Sequence, residues 1–222
     1  RIAFFSCPKL KTLTITANVE TIGRNAFANC NQLTDLTIDS KNRHFVMKGG
    51  VIYNFNITEC YGGPTVKSVV ISSTVTRIVP YAFYYNANLT SIVIPSSVKN
   101  IDEGGLGSTG LVAIYFNGDF PLNDGGYMLA SLSKLYVINI NANYTVPDTL
   151  FMYTSKGKTI RVPKGVIGYD VAPWTDFNIE YVDSVPLGPS DEPLIVIPEV
   201  LQTQSIHSNL TSSEIKLTSV GP

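Results

Sequence analysis

The side chains of this chain that could do chemistry are few, and their spacing argues against catalysis. Residues 105–110 spell Gly-x-Gly-x-x-Gly, which holds a dinucleotide pyrophosphate when it follows a strand and opens a helix. Residues 111–116 instead have the apolar alternation of a strand, so the glycines are interpreted as a turn. His44 and His207 lie near no serine or cysteine in a nucleophile context. We therefore predict no enzymatic activity and no cofactor.

A second group of polar residues could hold a cation. Asn117, Asp119, Asn123 and Asp124 form a glycine-bounded loop whose oxygen atoms are of the type that binds calcium. The loop lacks the alternating spacing of a calcium-binding loop, and the same residues are common in turns. We predict no metal ligands.

The three cysteines indicate packing rather than a disulfide framework. Cys7 and Cys30 occupy the same place in consecutive repeats, and Cys60 stands apart from them. Because free cysteine is among the most buried residue types and the count is odd, we predict buried free thiols.

A repeated apolar unit positions all of these residues. The first copy comprises Ala3, Phe4, Cys7, Leu10, Leu13 and Ile15, and the same residue types recur 23 positions later. The third copy comprises Ala82, Phe83, Asn86, Leu89, Ile92 and Ile94. A period between 20 and 30 residues with this leucine spacing is typical of leucine-rich repeats, in which each turn contributes a short strand. Stability then comes from stacking, since no turn buries its own apolar edge.

The register predicts a β-rich leucine-rich-repeat solenoid of the α/β type, with one curved parallel sheet of about seven rungs in a right-handed coil. The predicted strands are residues 10–15, 33–38, 66–71, 89–94, 111–116, 132–137 and 157–162. Phe27 and Phe83, each at one fixed place before a strand, are predicted to be buried wedges. The extra residues near 41–64 are predicted to project as a hairpin around residues 51–53 and 58–60.

Side chains alternate between the two faces of a strand, so the sequence predicts which residue of each strand points away from the core. We call these residues, one from each stacked strand, the outward column. Its predicted members are Thr14, Thr37, Val70, Val93, Tyr115, Tyr136 and Arg161. The column begins polar and becomes apolar and aromatic, so we predict a binding surface centred on Tyr115 and Tyr136, with Val70, Val93 and Arg161 around them. The alternative is that the two tyrosines stack on each other or lie under the proline-rich tail.

The unit A-F-x-x-C-x-x-L-x-x-[LI]-x-I resembles the BspA-type leucine-rich repeat. Residues 42–45 with 49–53, and the end from residues 160–163 through Tyr169 to Trp174, resemble elaborations of the same family. The resemblance covers residues 1–183 and implies surface display and adhesion to host matrix proteins or other cells. Leu106 replaces the expected Phe, while Asn86 and Thr109 replace the Cys.

The predicted organisation is a solenoid over residues 1–183 with an insertion near 41–64 and a cap near 164–183. A proline-rich linker at 184–193 and a tail at 194–222 follow. In the cap, Trp174 with Phe177 and Ile179 is predicted to cover the last rung, and the alternative is a ligand-binding tryptophan.

Composition limits the partners. Charged residues make up 15% of the chain and the net charge is −1, which argues against nucleic acid or anionic membrane. No apolar run approaches the roughly 20 residues that span a bilayer, so no membrane insertion is predicted for this fragment. The chain begins inside a repeat, so we expect a piece of a longer protein that is secreted or displayed on the cell surface.

Two functions follow from the sequence. The first is a recognition module that binds a protein or glycan on a host or neighbouring cell through the repeat face. The second is an architectural spacer that extends a distal domain. An exposed patch at Val70, Val93, Tyr115 and Tyr136 would favour recognition, and its burial by the tail would favour the spacer.

Overall fold

The computed structural model of the chain describes residues 3–118, 127–140, 148–171, 174–186 and 188. Within these ranges the regular structure is short strands and two 3₁₀ turns, Asp148–Phe151 and Trp174–Asp176. The strands are β1 (Thr12–Ile15), β2 (Asp35–Ile38), β3 (Phe45–Lys48), β4 (Val51–Asn54), β5 (Glu59–Gly62), β6 (Ser68–Val70), β7 (Arg77–Ile78), β8 (Ser91–Ile94), β9 (Asn100–Ile101), β10 (Ala113–Phe116), β11 (Val137–Ile140), β12 (Thr159–Pro163) and β13 (Asn178–Val182).

The repeat strands stack in parallel, as the apolar register predicts. Strands β6, β8, β10, β11, β12 and β13 form one parallel sheet in chain order, while β1 and β2 form a separate parallel pair. The fold is a parallel-sheet β-solenoid of about seven turns, which confirms the predicted fold class. The prediction of one uninterrupted sheet is wrong at a single place, between β2 and β6.

Side chains span this break in the backbone ladder. The Thr65 hydroxyl donates to the Leu33 carbonyl oxygen over 3.1 Å. The Asn88 amide donates to the Asn31 carbonyl oxygen, and the Ala87 N–H donates to the Asn31 side-chain oxygen, each over 3.2 Å. The turn of the second rung is therefore attached directly to the turn that precedes β8.

The insertion between β2 and β6 folds as an antiparallel meander. Strands β3 and β4 pair across Gly49 and Gly50, whose φ angles of 58° and 76° suit a two-residue hairpin turn. Strand β4 then pairs antiparallel with β5, which pairs in parallel with β7. The insertion thereby adds its own strands to the second wall of the solenoid, where β5, β7 and β9 run side by side.

The prediction that the insertion projects from the solenoid is wrong, because strand β4 is buried on both faces. Val51 and Tyr53 are each 2% exposed and belong to the main hydrophobic core. Ile52 between them is fully buried in a second core, with Ile15 and Phe45. Strand β4 therefore lies between the core of the first two rungs and the core of the later ones.

Salt bridges connect the neighbouring strands β5, β7 and β9 of the second wall. Arg77 on β7 donates through Nε to the Asp102 carboxylate over 2.8 Å and through a terminal nitrogen to Glu59 on β5 over 3.2 Å. The Tyr61 hydroxyl donates to the same Glu59 side chain. Because Asp102 is 5% exposed, this arginine neutralises a buried carboxylate and ties the insertion to the repeats.

The turn before each strand is filled by one apolar side chain. Phe83 is 1% exposed, and Leu106, Leu129 and Phe151 occupy the same place in the next turns. Phe27 differs, since it is half-buried and stacks on Phe4 with ring centroids 6.1 Å apart. The buried wedge is thus confirmed for Phe83, and Phe27 is only partly buried.

The side chain at the cysteine position of the repeat donates a hydrogen bond to a backbone carbonyl oxygen. The Cys30 thiol donates to the Phe4 carbonyl oxygen over 2.9 Å, and at the same place the Asn86 amide donates to the Gly63 carbonyl oxygen over 2.8 Å. Cys30 and Cys60 are buried and Cys7 is half-buried. Burial raises the pKa of Cys60 to about 12, so its thiol stays protonated.

Aromatic side chains close the last described rungs. Trp174 is fully buried, with ring centroids 5.5 Å from Phe151 and 5.0 Å from Tyr169. Ile179 on β13 pairs with Ile160 on β12, so the segment after the 3₁₀ turn extends the sheet. The position of Trp174 is that of a core residue, as predicted.

We expect Phe83→Ala to lower the free energy of unfolding by about 3–5 kcal/mol, because the wedge is buried and its cavity cannot collapse between stacked turns. Reversible urea denaturation measures this loss. Phe27→Ala is the matched control and should lose less, since that ring is partly in solvent already. A loss below about 1 kcal/mol for Phe83→Ala would contradict the buried wedge.

We expect Ile52→Ala to lower the free energy of unfolding by about 2–5 kcal/mol, as for other buried aliphatic truncations. Phe55→Ala is the control, because Phe55 follows β4 directly and is 49% exposed, so its change should stay near 0.5 kcal/mol. Equal losses in the two variants would show that β4 does not separate two cores.

Candidate functional site

The outward column of the parallel sheet follows from strand register. Each of its members is the partner of the next in the ladder: Val70, Val93, Tyr115, Asn139, Arg161 and Glu180. Four of the five predicted contact residues therefore share one column, and the fifth does not. Thr14 and Thr37 lie in the separate sheet, where their hydroxyls are 3.0 Å apart.

Tyr136 is the residue whose predicted place is wrong. The ladder pairs Tyr115 with Asn139, so strand β11 begins at Val137 and the predicted register was three residues too early. Both registers fit the sequence, since Leu135 can be the first or the second apolar position of the three-residue strand pattern. The observed register buries Ile138 and Ile140 completely. Tyr136 precedes the strand and is 44% exposed.

The centre of the column is covered by the chain's own later segment. A Cβ at Gly188 would lie 2.7 Å from Val93 Cγ2 and 2.9 Å from Tyr115 Cγ, so the backbone there rests directly on both side chains. Val93 is 4% exposed, and Val185 is buried as well. Burial raises the pKa of Tyr115, and the charge of Arg161 partly opposes the shift. Of the two tyrosines that the alternative places under the proline-rich segment, Tyr115 lies against it, whereas Tyr136 is exposed.

The far end of the column is polar. Arg161 donates through Nε to Glu180 over 2.9 Å on the neighbouring strand. Asn139 is 1% exposed, and its side-chain oxygen makes no hydrogen bond in the structure. The strand face therefore offers a buried acceptor next to Tyr115 and an ion pair at its rim.

A second aromatic surface lies in the turns and was missed from the sequence. Among the described residues, four turns contain two residues four positions apart with φ between 53° and 63°, and two further turns show the second of these residues. The first column contains Asn25, Tyr81, Gly104 and Tyr127, and the second contains Ser6, Asn29, Tyr85, Ser108, Ser131 and Tyr153. Glycine and asparagine adopt this conformation readily, whereas a residue such as tyrosine is strained there by about 1–2 kcal/mol.

We call Tyr81, Tyr84, Tyr85 and Tyr127 the tyrosine patch. The Tyr84 ring centroid is 5.2 Å from that of Tyr81 and 4.4 Å from that of Tyr85. A Cβ at Gly107 would lie 3.4 Å from the Tyr84 ring and 3.2 Å from the Tyr127 carbonyl oxygen. Tyr81, Tyr84 and Tyr85 therefore share one turn, and Tyr127 lies two turns further on, across the turn that contains Gly107.

The charges beside the patch are already paired. The Tyr81 hydroxyl donates to Glu103, Arg24 lies 3.6 Å from the same carboxylate, and the Arg24 guanidinium is 5.8 Å from the Tyr81 ring centroid. Burial and the Glu103 hydrogen bond raise the pKa of Tyr81 to about 12. The patch therefore presents aromatic surface and hydroxyl groups rather than net charge.

The glycine-rich motif belongs to this surface. Gly104 and Gly107 leave room for the Tyr81 and Tyr84 rings, since a Cβ at Gly104 would lie 2.5 Å from Tyr81. The segment is a turn that leads into strand β10, without the helix that a dinucleotide site needs. The interpretation of these glycines as a turn is confirmed.

The described residues contain no group of three or more His, Cys, Asp or Glu side chains that could hold a metal ion. Of the acidic loop, Asn117 is described, while Asp119, Asn123 and Asp124 lie outside the described residues. His44 is exposed next to β3, and His207 also lies outside those ranges.

The comparisons with known proteins agree with this fold. The BspA type leucine rich repeat region matches in six copies over residues 1–67 and 56–171, and the chain belongs to this family. No curated protein matches the chain significantly. No helix among the residues with described placement is long and apolar enough to cross a membrane.

Solved structures are similar at low identity. A leucine-rich repeat protein from Eubacterium ventriosum is 20% identical over 78% of this chain and 48% of its own, with a TM-score of 0.57. The pneumococcal vaccine antigen PcpA is 17% identical over 78% of this chain and 56% of its own, with a TM-score of 0.40. A leucine rich cell surface protein from Faecalibacterium prausnitzii is 19% identical over 74% of this chain and 52% of its own, with a TM-score of 0.39. The chain spans about half the length of these proteins.

The pKa of Tyr81 predicts an alkaline loss of stability. Because the pKa is higher in the folded state than the ordinary value of about 10, the stabilisation is complete below pH 10 and is lost as the pH rises towards 12. We expect Tyr81→Phe to make the thermal midpoint fall less steeply between pH 10 and 11.5. Thermal scans of both proteins test this, and parallel curves would contradict it.

Proposed function

We propose that this chain is a secreted or cell-surface recognition module that binds a macromolecular partner through the surface of its repeats. Membership of the BspA type family supports an interaction role, because stacked repeats build extended binding surfaces. The observation that carries the proposal is a set of exposed tyrosines that core packing does not require. Tyr85, Tyr127 and Tyr136 are 44%, 42% and 44% exposed. Tyrosine combines a large contact area with few rotatable bonds.

The partner that we propose is a protein or glycan on a host or neighbouring cell, and we propose no catalytic step. On the strand face the contact would involve Tyr115, Val70 and Arg161, with Tyr136 at its edge, directly before β11. Val93 is buried beneath Gly188, so a partner would reach it only after that segment moves.

An architectural spacer is the second candidate, and the covered strand face favours it. A spacer needs no accessible face on its repeats, and the backbone at Gly188 covers Val93 and contacts the partly buried Tyr115. The same contact on a recognition module would act as a cover that a partner displaces. The two functions therefore differ in what happens when the cover is removed.

We expect replacement of Tyr115 and Tyr136 by Ser to weaken binding to a panel of immobilised extracellular matrix proteins at least tenfold, or about 1.4 kcal/mol. The rings supply contact area at this face, while the core is untouched, so the thermal midpoint should change little. Biolayer interferometry with circular dichroism measures both quantities. Unchanged binding, or a collapse of the fold, would remove this face from consideration.

Gly188→Val is the matched variant with the opposite expectation. Its side chain would collide with Val93 and Tyr115 and lift the cover, so binding at the strand face should strengthen. A spacer would bind no panel member before or after this substitution. If the wild-type protein, Gly188→Val and the double Ser variant all bind the panel equally well, the binding site lies elsewhere on the protein.

A further inference from the structure

The tyrosine patch lies in the turns and not on the strand face, and the fold does not require tyrosine at these positions. At the equivalent places in other turns the chain uses Asn25 and Asn29, which build the same left-handed backbone. Tyr81, Tyr85 and Tyr127 build it with a larger and more strained residue. Strained residues that the fold could avoid cluster at functional sites, and this outlier therefore points to a use for the rings.

The backbone beneath the patch excludes partners that bind by strand addition. The backbone N–H groups of three residues donate to carbonyl oxygens of the next turn over 2.9–3.0 Å: Tyr81 to Glu103, Phe83 to Gly105, and Ser108 to Ala130. These donors are therefore occupied, and a peptide strand has no free edge to pair with here. Recognition must use side chains alone.

The chemistry of those side chains selects the partner. Arg24 and Glu103 neutralise each other, so the patch has no free charge with which to attract a phosphate or a basic segment. What remains is the aromatic faces and the hydroxyl groups of Tyr84, Tyr85 and the neighbouring Ser108. Burial raises the pKa of Tyr84, hydrogen bonding to Tyr85 adds to the shift and Ser108 opposes it, so these groups already exchange hydrogen bonds.

We propose that the tyrosine patch is a binding site for a neutral glycan. A sugar ring has one apolar C–H face, which packs on an aromatic ring, and a rim of hydroxyl groups, which both donate and accept hydrogen bonds. Tyr85 and Tyr127, each more than 40% exposed, supply stacking rings two turns apart, with the turn of Gly104 and Ser108 between them. Ser108 lies on the intervening turn, the Tyr84 ring lies against the same turn at Gly107, and both side chains supply hydroxyl partners. The proposal rests on the recognition function and names the class of ligand for one of its surfaces.

The test replaces Tyr85 by Asn, the residue that the chain itself uses at the same place in Asn29. Isothermal titration calorimetry with a set of neutral hexose oligosaccharides should show binding by the wild-type chain and a loss of at least tenfold in Tyr85→Asn. The thermal midpoint should not fall, because asparagine relieves the backbone strain. Tyr181→Ser removes a tyrosine on β13 that is 46% exposed and lies outside the patch, so it should leave sugar binding unchanged.

Four results would overturn the proposal: no oligosaccharide binds the wild-type chain, Tyr85→Asn binds as tightly, its midpoint drops by several degrees, or Tyr181→Ser weakens sugar binding equally. Tighter binding of sialylated than of neutral sugars would also overturn the neutral class. Binding of matrix proteins without any sugar binding would contradict the glycan site but not the recognition function. Binding of neither would count against both.

Discussion

Strand β4 must bury side chains on both of its faces, and the continuity of the protein interior depends on that constraint. Alternation along the strand directs Val51 and Tyr53 to one core and Ile52 to the other. If β4 projected into solvent, three apolar side chains would be exposed and the two cores would each lose a wall. The insertion is therefore a structural part of the solenoid, and the repeats on its two sides depend on it for closure.

The same constraint explains why the sheet is interrupted. A solenoid turn normally satisfies its neighbours through backbone pairing, but the insertion replaces the turn that would precede β6. Hydrogen bonds that the Thr65 and Asn88 side chains donate, and one that the Asn31 side chain accepts, connect the rungs instead. Such bonds are fewer than those of a ladder and are partly in solvent, so β1 and β2 are attached to the remaining rungs mainly through the core around Ile52.

The sequence predicts the repeats well because their period is long and redundant. Each apolar position is specified again 23 residues later, so one substitution such as Leu106 for Phe leaves the register readable. The insertion has no second copy, and three consecutive apolar residues at 51–53 fit a buried strand and a hairpin tip equally. Register failed at β11 for a related reason, since Leu132, Leu135 and Val137 match the pattern as well as Leu135, Ile138 and Ile140 do.

Backbone strain in the turns explains why the tyrosine patch escaped the sequence analysis. A positive φ is not visible in one tyrosine, but Asn25 and Asn29 on either side of Ala26 and Phe27 mark the two left-handed positions. Aligning the third copy on that pair places Tyr81 and Tyr85 where asparagine belongs. Tyr81, Tyr85 and Tyr127 each stand at a positive φ that tyrosine disfavours. Tyr115 differs from them, because any large residue could fill its position in the strand. The turn surface therefore has the stronger physical claim to a selected function, and the strand face depends on whether its cover moves.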